Sequence, residues 1–180
     1  MAQALEKKLK RLKRQRAIIL AEDEAVLFLQ ATLAAIWQPK GKTIRIKAFA
    51  GQAKQSFYGA LNLRTGKEHV MRCDTQKKIS TIRFLGNLRR AYPRRRIAIF
   101  WDNAPWHKGL GEYLRKARRI ELIPFPPYSP ELNPQEGVWK KARKAVSHNH
   151  TFRIFPSLIS AFETYLKKNV FRSNFLKNHS

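Results

Sequence analysis

Asp23, Asp102 and Glu136 each stand where a carboxylate could do chemistry. Asp23 follows the apolar run Ala17-Ile18-Ile19-Leu20-Ala21 and lies inside the triplet Glu22-Asp23-Glu24. Asp102 follows Arg96-Ile97-Ala98-Ile99-Phe100-Trp101. Glu136 closes Asn133-Pro134-Gln135-Glu136, the start of a predicted helix. Short apolar runs of this kind read as buried strands, and strand ends along one sheet edge are where ligand sites assemble. Carboxylates gathered at one place repel, so three ionised together need a cation. An all-oxygen ligand set selects a hard dication, Mg²⁺ or Mn²⁺. Two such ions ~4 Å apart clamp an in-line displacement at phosphorus, one at the attacking oxygen and one at the leaving oxygen. His107, Asn103 and Asn133 are accessory candidates beside these acids. The histidine could ligate, contact phosphate or cap a helix.

Each acid also has a plainer reading. Asp23 could simply follow a strand as a solvated acid. Asp102 with Asn103 could form an Asx-type turn. Glu136 falls at the third helical position after an Asn133 cap and Pro134, where a capping-box carboxylate belongs. Trp101, Trp106 and Trp139 lie close to the acids in sequence. Their default role is core packing, with stacking on an exposed base as the minority role.

Composition favours the chemical reading. The 180-residue chain carries 37 Lys plus Arg against 12 Asp plus Glu, a net charge of +25. So large a surplus implies a polyanionic partner, nucleic acid or an anionic membrane surface. No apolar run approaches the ~18 residues of a membrane span, and the basic N-terminus lacks the apolar stretch of a signal peptide. Cys73 is the one cysteine, which excludes a disulfide framework and a cysteine-based zinc site and fits a reducing cytoplasm. Residues 25–67, 75–101 and 137–162 contain no acid, so three acids in a row at 22–24 call for a reason.

The elements that must position these residues follow from periodicity. Residues 1–16 form a basic helix with Leu5, Leu9 and Leu12 on one stripe, either packed on the core or lying along DNA phosphates. A strand over 17–21 delivers Asp23 at its end. Val26 to Ile36 is apolar and open between strand and helix. Thr43 to Phe49 alternates as a half-buried strand. Segments 56–63 and 68–73 flank a turn in which Gly66 supplies a positive φ. A helix from about Thr75 to Tyr92 stops at Pro93. A strand over 96–101 ends on Asp102. A short helix is marked by Leu110, Tyr113, Leu114 and Ala117, and a further strand spans 120–124. A proline-rich loop precedes a helix from Asn133 to Val146, and another helix is expected over 156–168. Strands first, then alternating helix and strand, give an α/β fold: a mixed sheet flanked by helices. The division is a basic helical linker 1–16, a catalytic unit 17–150 and a basic, apolar helical tail 151–180 (with Phe152, Phe155, Leu158, Phe162 and Leu166 on one face).

Three segments carry a resemblance: Ala21-Glu22-Asp23-Glu24, then Trp101-Asp102-Asn103-Ala104-Pro105-Trp106-His107, then Pro127-Tyr128-Ser129-Pro130-Glu131-Leu132-Asn133-Pro134-Gln135-Glu136-Gly137-Val138-Trp139. Together they resemble the DDE transposases of the mariner superfamily, in its bacterial insertion-sequence branch. The 33 residues between Asp102 and Glu136, and a final Glu rather than Asp, match that branch. The likeness covers about residues 15–150. It implies a ribonuclease-H-like fold, with Asp23, Asp102 and Glu136 as catalytic residues binding Mg²⁺ or Mn²⁺, in all two ions. It implies hydrolysis of the phosphodiester at an element's ends, then attack of the freed 3′ hydroxyl on target DNA. The implied partners are transposon-end and target DNA and a second copy in a homodimeric complex, in a bacterial cytoplasm. Glu22 and Glu24 receive no role. Members of this family also carry N-terminal helix-turn-helix domains, for which there is no room before Asp23, so a separate recognition domain or chain is expected to be missing. Two other readings stand beside this one: a catalytically inactive DNA-binding remnant, and a ribonuclease-H-type enzyme acting on RNA.

Overall fold

The computed structural model describes residues 2–29, 53–102, 109–110, 114, 119–125, 132–147, 152 and 154–178. The expected strand at 43–49, the proline-rich loop, Asn103, Trp106 and His107 lie outside the described residues. Helix α1 (Ala2–Arg14) leads into β1 (Ile18–Phe28), β2 (Lys54–Asn62) and β3 (Glu68–Cys73). Helix α2 (Lys78–Ala91) follows, then β4 (Ile97–Trp101), β5 (Ile120–Pro124), α3 (Pro134–Val146), α4 (Phe155–Lys168) and the short α5 (Phe175–Asn178). The five strands form one mixed sheet in the order β3-β2-β1-β4-β5. β1, β4 and β5 run parallel, and β2 and β3 run antiparallel to their neighbours.

The sheet is covered on both faces, which is why its central strands read as unbroken apolar runs. Every residue of β4 is buried. On one face, Leu9 and Leu12 of α1 pack with Val138, Trp139 and Ala142 of α3 and Phe162 and Leu166 of α4. On the other, Phe84, Leu85 and Leu88 of α2 pack on Leu20, Tyr58 and Ile99. The leucine stripe of α1 is therefore a core stripe. In the first turn of α2 Ile79 is exposed and Thr81 is buried. The Thr81 hydroxyl lies 3.0 Å from that of the buried Tyr58, a polar partner that an isoleucine could not provide.

The β2–β3 turn forms as its residues dictate. The Asn62 side chain accepts from the backbone N–H groups of Arg64 and Thr65 at 3.0 and 3.1 Å, and Gly66 takes φ +74°. Helix α4 is clamped to the sheet edge by Glu163, which pairs with both Arg72 of β3 and Lys167. Among the described residues no helix is long and apolar enough to cross a membrane.

One expectation needs correction. β1 does not end at the acids but runs through them to Phe28, because its antiparallel ladder with β2 continues to the Phe28–Lys54 pair. Asp23 therefore sits in mid-strand. The neighbouring β4 stops at Trp101, and its ladder with β1 reaches only as far as Ala21. Among the described residues β4 ends level with Glu22, and the acids lie at this notch.

Candidate metal centre

Side-chain alternation along β1 distributes the acid triplet between the two faces. Asp23 shares its face with Ile19, Ala21, Ala25 and Leu27, under α3. Glu22 and Glu24 share the face of Leu20, toward Tyr58 and α2. Continuing the β1–β4 register by two residues brings Asp102, just past the end of β4, level with Asp23. Ligand oxygens of Asp23, Glu24 and Asp102 all lie within 4.8 Å of one another. Asp102 is exposed there, whereas Asp23 and Glu24 are half-buried.

Helix α3 is docked along β1 by contacts that follow the strand. Asn133 Nδ2 donates to the carbonyl of Glu22 at 3.1 Å, Trp139 Nε1 donates to Asp23 Oδ2 at 3.1 Å, and Arg143 donates to the carbonyl of Val26 at 3.4 Å. Asn133 is also the N-cap of α3, accepting from the Gln135 N–H at 3.1 Å, with Pro134 following it. One side chain thus starts the helix and fixes that start to the strand bearing Asp23. Trp139 and Trp101 are buried, which removes both from base stacking.

Glu136, in the first turn of α3, does not serve as a capping-box partner. Its backbone N–H donates to the Asn133 carbonyl at 3.2 Å, and its carboxylate has Lys140 at 3.9 Å. It lies outside the 4.8 Å group of oxygens, yet its charge is the largest influence after burial that pushes the Asp23 carboxyl up to about 7. The charges of Glu24 and Asp102 push the same way. Three acid charges therefore bear on the half-buried Asp23, a repulsion that a bound dication relieves.

Two features of this site have no role assigned from the sequence. The first is Glu24, given no role there, which the fold places among the Asp23 and Asp102 oxygens. The second is a polar clasp beneath the start of α3. Gln135 and Glu68 are both buried, and Gln135 Nε2 donates to Glu68 Oε1 at 2.8 Å. Burial holds the Glu68 carboxyl well above its usual range, against the opposing effect of its hydrogen bonds from Gln135 and the Ala60 backbone. Glu68 Oε2 and Gln135 Oε1 are left buried without a hydrogen-bond partner among the described residues. A protonated Glu68 supplies the missing donor. Glu68→Gln is accordingly expected to change stability by less than about 1 kcal/mol, whereas Gln135→Leu costs about 2–3 kcal/mol by stranding the buried acid. Urea melts of both variants check this; a Glu68→Gln cost equal to that of Gln135→Leu would contradict a neutral Glu68.

A mixed 3-2-1-4-5 sheet with acids at the β1–β4 notch and on a following helix defines a ribonuclease-H-like domain. The profile of the DDE superfamily endonucleases matches residues 6–159, and the chain belongs to that family. It is 27% identical over 135 residues to an insertion element IS630 39 kDa protein of Shigella sonnei; the match covers 73% of this chain and 39% of that protein. The Mos1 strand transfer complex matches with a TM-score of 0.67 at 20% identity, over 99% of this chain and 55% of the Mos1 chain. The Mos1 mariner paired-end complex with Mn gives 0.67 at 18% identity, over 99% and 56%. The chain thus spans well under two thirds of the length of these relatives. The family and the fold together make it a DDE-type endonuclease domain with the fold of the Mos1 catalytic region.

Proposed function

We propose that this chain is the catalytic domain of a metal-dependent DNA transposase. Residues 17–150 carry the chemistry, and the helix of 1–16 and the tail 151–180 brace them. The observation that carries the reading is the convergence of Asp23 and Asp102 at the end of β4, with Glu136 raising Asp23 from the facing helix. All four nearby acids offer hard oxygen ligands, which suits Mg²⁺ or Mn²⁺ and not a soft metal. Asp23, Asp102 and Glu136 are the proposed ligands, and a Mos1 relative described with Mn supports that choice of ion. When bound, two divalent ions would activate an attacking oxygen and stabilise the leaving one at a DNA phosphodiester. The chain's own residues do the rest. Trp139 orients the Asp23 carboxylate, Asn133 holds the helix bearing Glu136 against β1, and the surplus positive charge holds the phosphate backbone. The substrates are element ends and then target DNA, with water and then a freed 3′ hydroxyl as nucleophile. The active complex is a homodimer, and end recognition falls to a helix-turn-helix unit.

The test is cleavage of duplex DNA carrying element ends with Mg²⁺ or Mn²⁺. Activity is expected to vanish in EDTA and in Asp102→Ala and Glu136→Ala. Cleavage that survived EDTA would sink the metal mechanism. Metal binding without cleavage in the wild type, under conditions where DNA binds, would favour an inactive remnant. Preference for an RNA–DNA hybrid would favour a ribonuclease.

The proximity of Glu24 supports a second ligand set, Asp23, Glu24 and Asp102. Glu24→Gln separates the two sets. Under the first it keeps metal-dependent cleavage within a few-fold; under the second it loses cleavage as Glu136→Ala would under the first.

A further inference from the structure

The start of the parallel sheet has a composition unlike the rest of the surface. Ile18, Ile97 and Ile120 lie level in the β1, β4 and β5 ladders, so the residues before them form one edge. That edge carries Arg14, Arg16, Arg94, Arg95, Arg96 and Arg119, all exposed. The Arg95 guanidinium donates to the Arg16 carbonyl at 2.6 Å, the Ile18 N–H to the Arg96 carbonyl at 2.8 Å and the Ile97 N–H to the Arg119 carbonyl at 3.1 Å. These bonds hold the three arginine-bearing turns side by side. Arg11, Arg96 and Arg119 also line a cleft of about 230 Å³ between α1 and the starts of β4 and β5. The acid in that cleft, Glu121, is taken up by Arg11 through two contacts of 2.5 and 2.7 Å. Among the described residues Arg14, Arg16, Arg94, Arg96 and Arg119 make no ion pair.

The backbone here supplies a second observation. Three non-glycine residues have positive φ among the described residues: Arg16 at 50°, Arg94 at 62° and Arg119 at 53°. All are arginines, and each precedes a strand of this edge. Glycine adopts this conformation without the side-chain clash that arginine incurs. At Arg16 the setting is a Schellman end to α1, with Arg16 N–H on the Lys13 carbonyl and Ala17 N–H on the Leu12 carbonyl, each at 3.0 Å, where glycine is the usual residue. Local structure does not ask for arginine at these positions.

We propose that this arginine edge binds the phosphate backbone of a second DNA duplex, separate from the one held at the carboxylates. The proposal rests on the reading of the notch as the place where the first duplex is cut. From Arg96 to Asp102 the chain runs along β4, so the two sites lie at opposite ends of a strand, roughly 20 Å apart. Guanidinium groups match phosphate oxygens in pairs, which ammonium groups do not. Segments 11–17, 92–97 and 119–121 contain none of the exposed large apolar side chains. The edge thus lacks the apolar anchors of a protein interface and suits a backbone contact.

The test uses the whole chain in EDTA, so that cleavage plays no part. One duplex is immobilised, the protein is bound, and capture of a second, labelled duplex is measured across a salt series. Wild type is expected to bridge the two. The triple variant Arg16→Gly, Arg94→Gly, Arg119→Gly removes the charges at positions where glycine suits the backbone. It should keep the wild-type melting temperature or exceed it, bind the first duplex and lose bridging. Its log-affinity against log-salt slope should be shallower by about three. A pair of surface changes that break none of these bonds, Arg14→Gln with Arg96→Gln, should weaken bridging by itself and guards against a folding artefact. Undiminished bridging in both variants would overturn the proposal, as would single-stranded RNA or a polyglutamate peptide displacing the second duplex better than DNA does. Loss of metal-dependent cleavage in wild type, with bridging intact, would count against the proposed function and leave this edge standing.

Discussion

Asp23→Asn is expected to stabilise the metal-free protein at pH 8 while abolishing its response to Mn²⁺. Burial, then the charges of Glu136, Glu24 and Asp102, push the Asp23 carboxyl from 3.8 to about 7. The folded state therefore holds a proton that the unfolded chain releases near pH 4. Stability contributed by that proton is present at low pH and lost as pH rises from about 4 to about 7. Above pH 7 the ionised group imposes the full cost, on the order of 2–4 kcal/mol from the size of the shift. Asparagine removes that cost and keeps an oxygen to accept from Trp139 Nε1. In wild type the cost is offset when a dication binds, by about 2.7 kcal/mol at a hundred times the dissociation constant. Thermal melts at pH 5 and 8, with and without Mn²⁺, give four values for each protein. The two proteins should agree at pH 5 more closely than at pH 8, and only wild type should gain from Mn²⁺. A variant that melted lower than wild type at pH 8, or one that Mn²⁺ stabilised equally, would show that Asp23 is not the strained ligand described.

Gly59→Ala is expected to cost about 3 kcal/mol and to reduce metal-dependent cleavage on the order of a hundredfold. Gly59 lies on β2 directly opposite Asp23 in the ladder. A methyl group there would meet the Gln135 amide nitrogen, and two ring carbons of Trp139 at 2.5 Å. Neither neighbour can yield at low cost. Gln135 is held by Glu68, and Trp139 is held between Asp23 and the stacked ring of Phe162, 6.3 Å away with the planes 13° apart. The helix must move off the sheet instead, and Glu136 moves with it. Trp139→Phe in the Gly59→Ala background shrinks the clashing ring and should recover part of the stability. It should not recover the activity, since the Nε1–H donor to Asp23 is gone. A Gly59→Ala protein that melted and cut like wild type would show that α3 does not owe its position to this close approach.

These two residues illustrate what could and could not be read along the chain. Asp102 was legible because a five-residue strand buried on both faces leaves an unbroken apolar run, and that run stops at the acid. The strand at 120–124 was legible for the same reason, and Asn133-Pro134 marked the start of α3 because capping is chemistry between residues close in sequence. The end of β1 was misplaced. Acids are poor strand formers, and only the pairing with β2, whose partner residues begin 26 positions beyond Phe28 at Lys54, carries the strand through them. Gly59 gave no signal, because its importance depends on a helix that begins some 75 residues later.

The sequence by itself determined the charge, the family and the local turns and caps, since each depends on composition or on neighbours within a few positions. It also contained the three acids proposed as ligands. The tertiary structure decided how the acids stand to one another. β4 ends beside the acids of β1, the Asp23, Glu24 and Asp102 oxygens meet there although alternation starts Asp23 and Glu24 on opposite faces, and α3 brings Glu136 close enough to raise Asp23 without joining the oxygens. It also gathered the arginines of three distant turns onto one edge, because parallel strands in register start at the same level however far apart they lie in the chain.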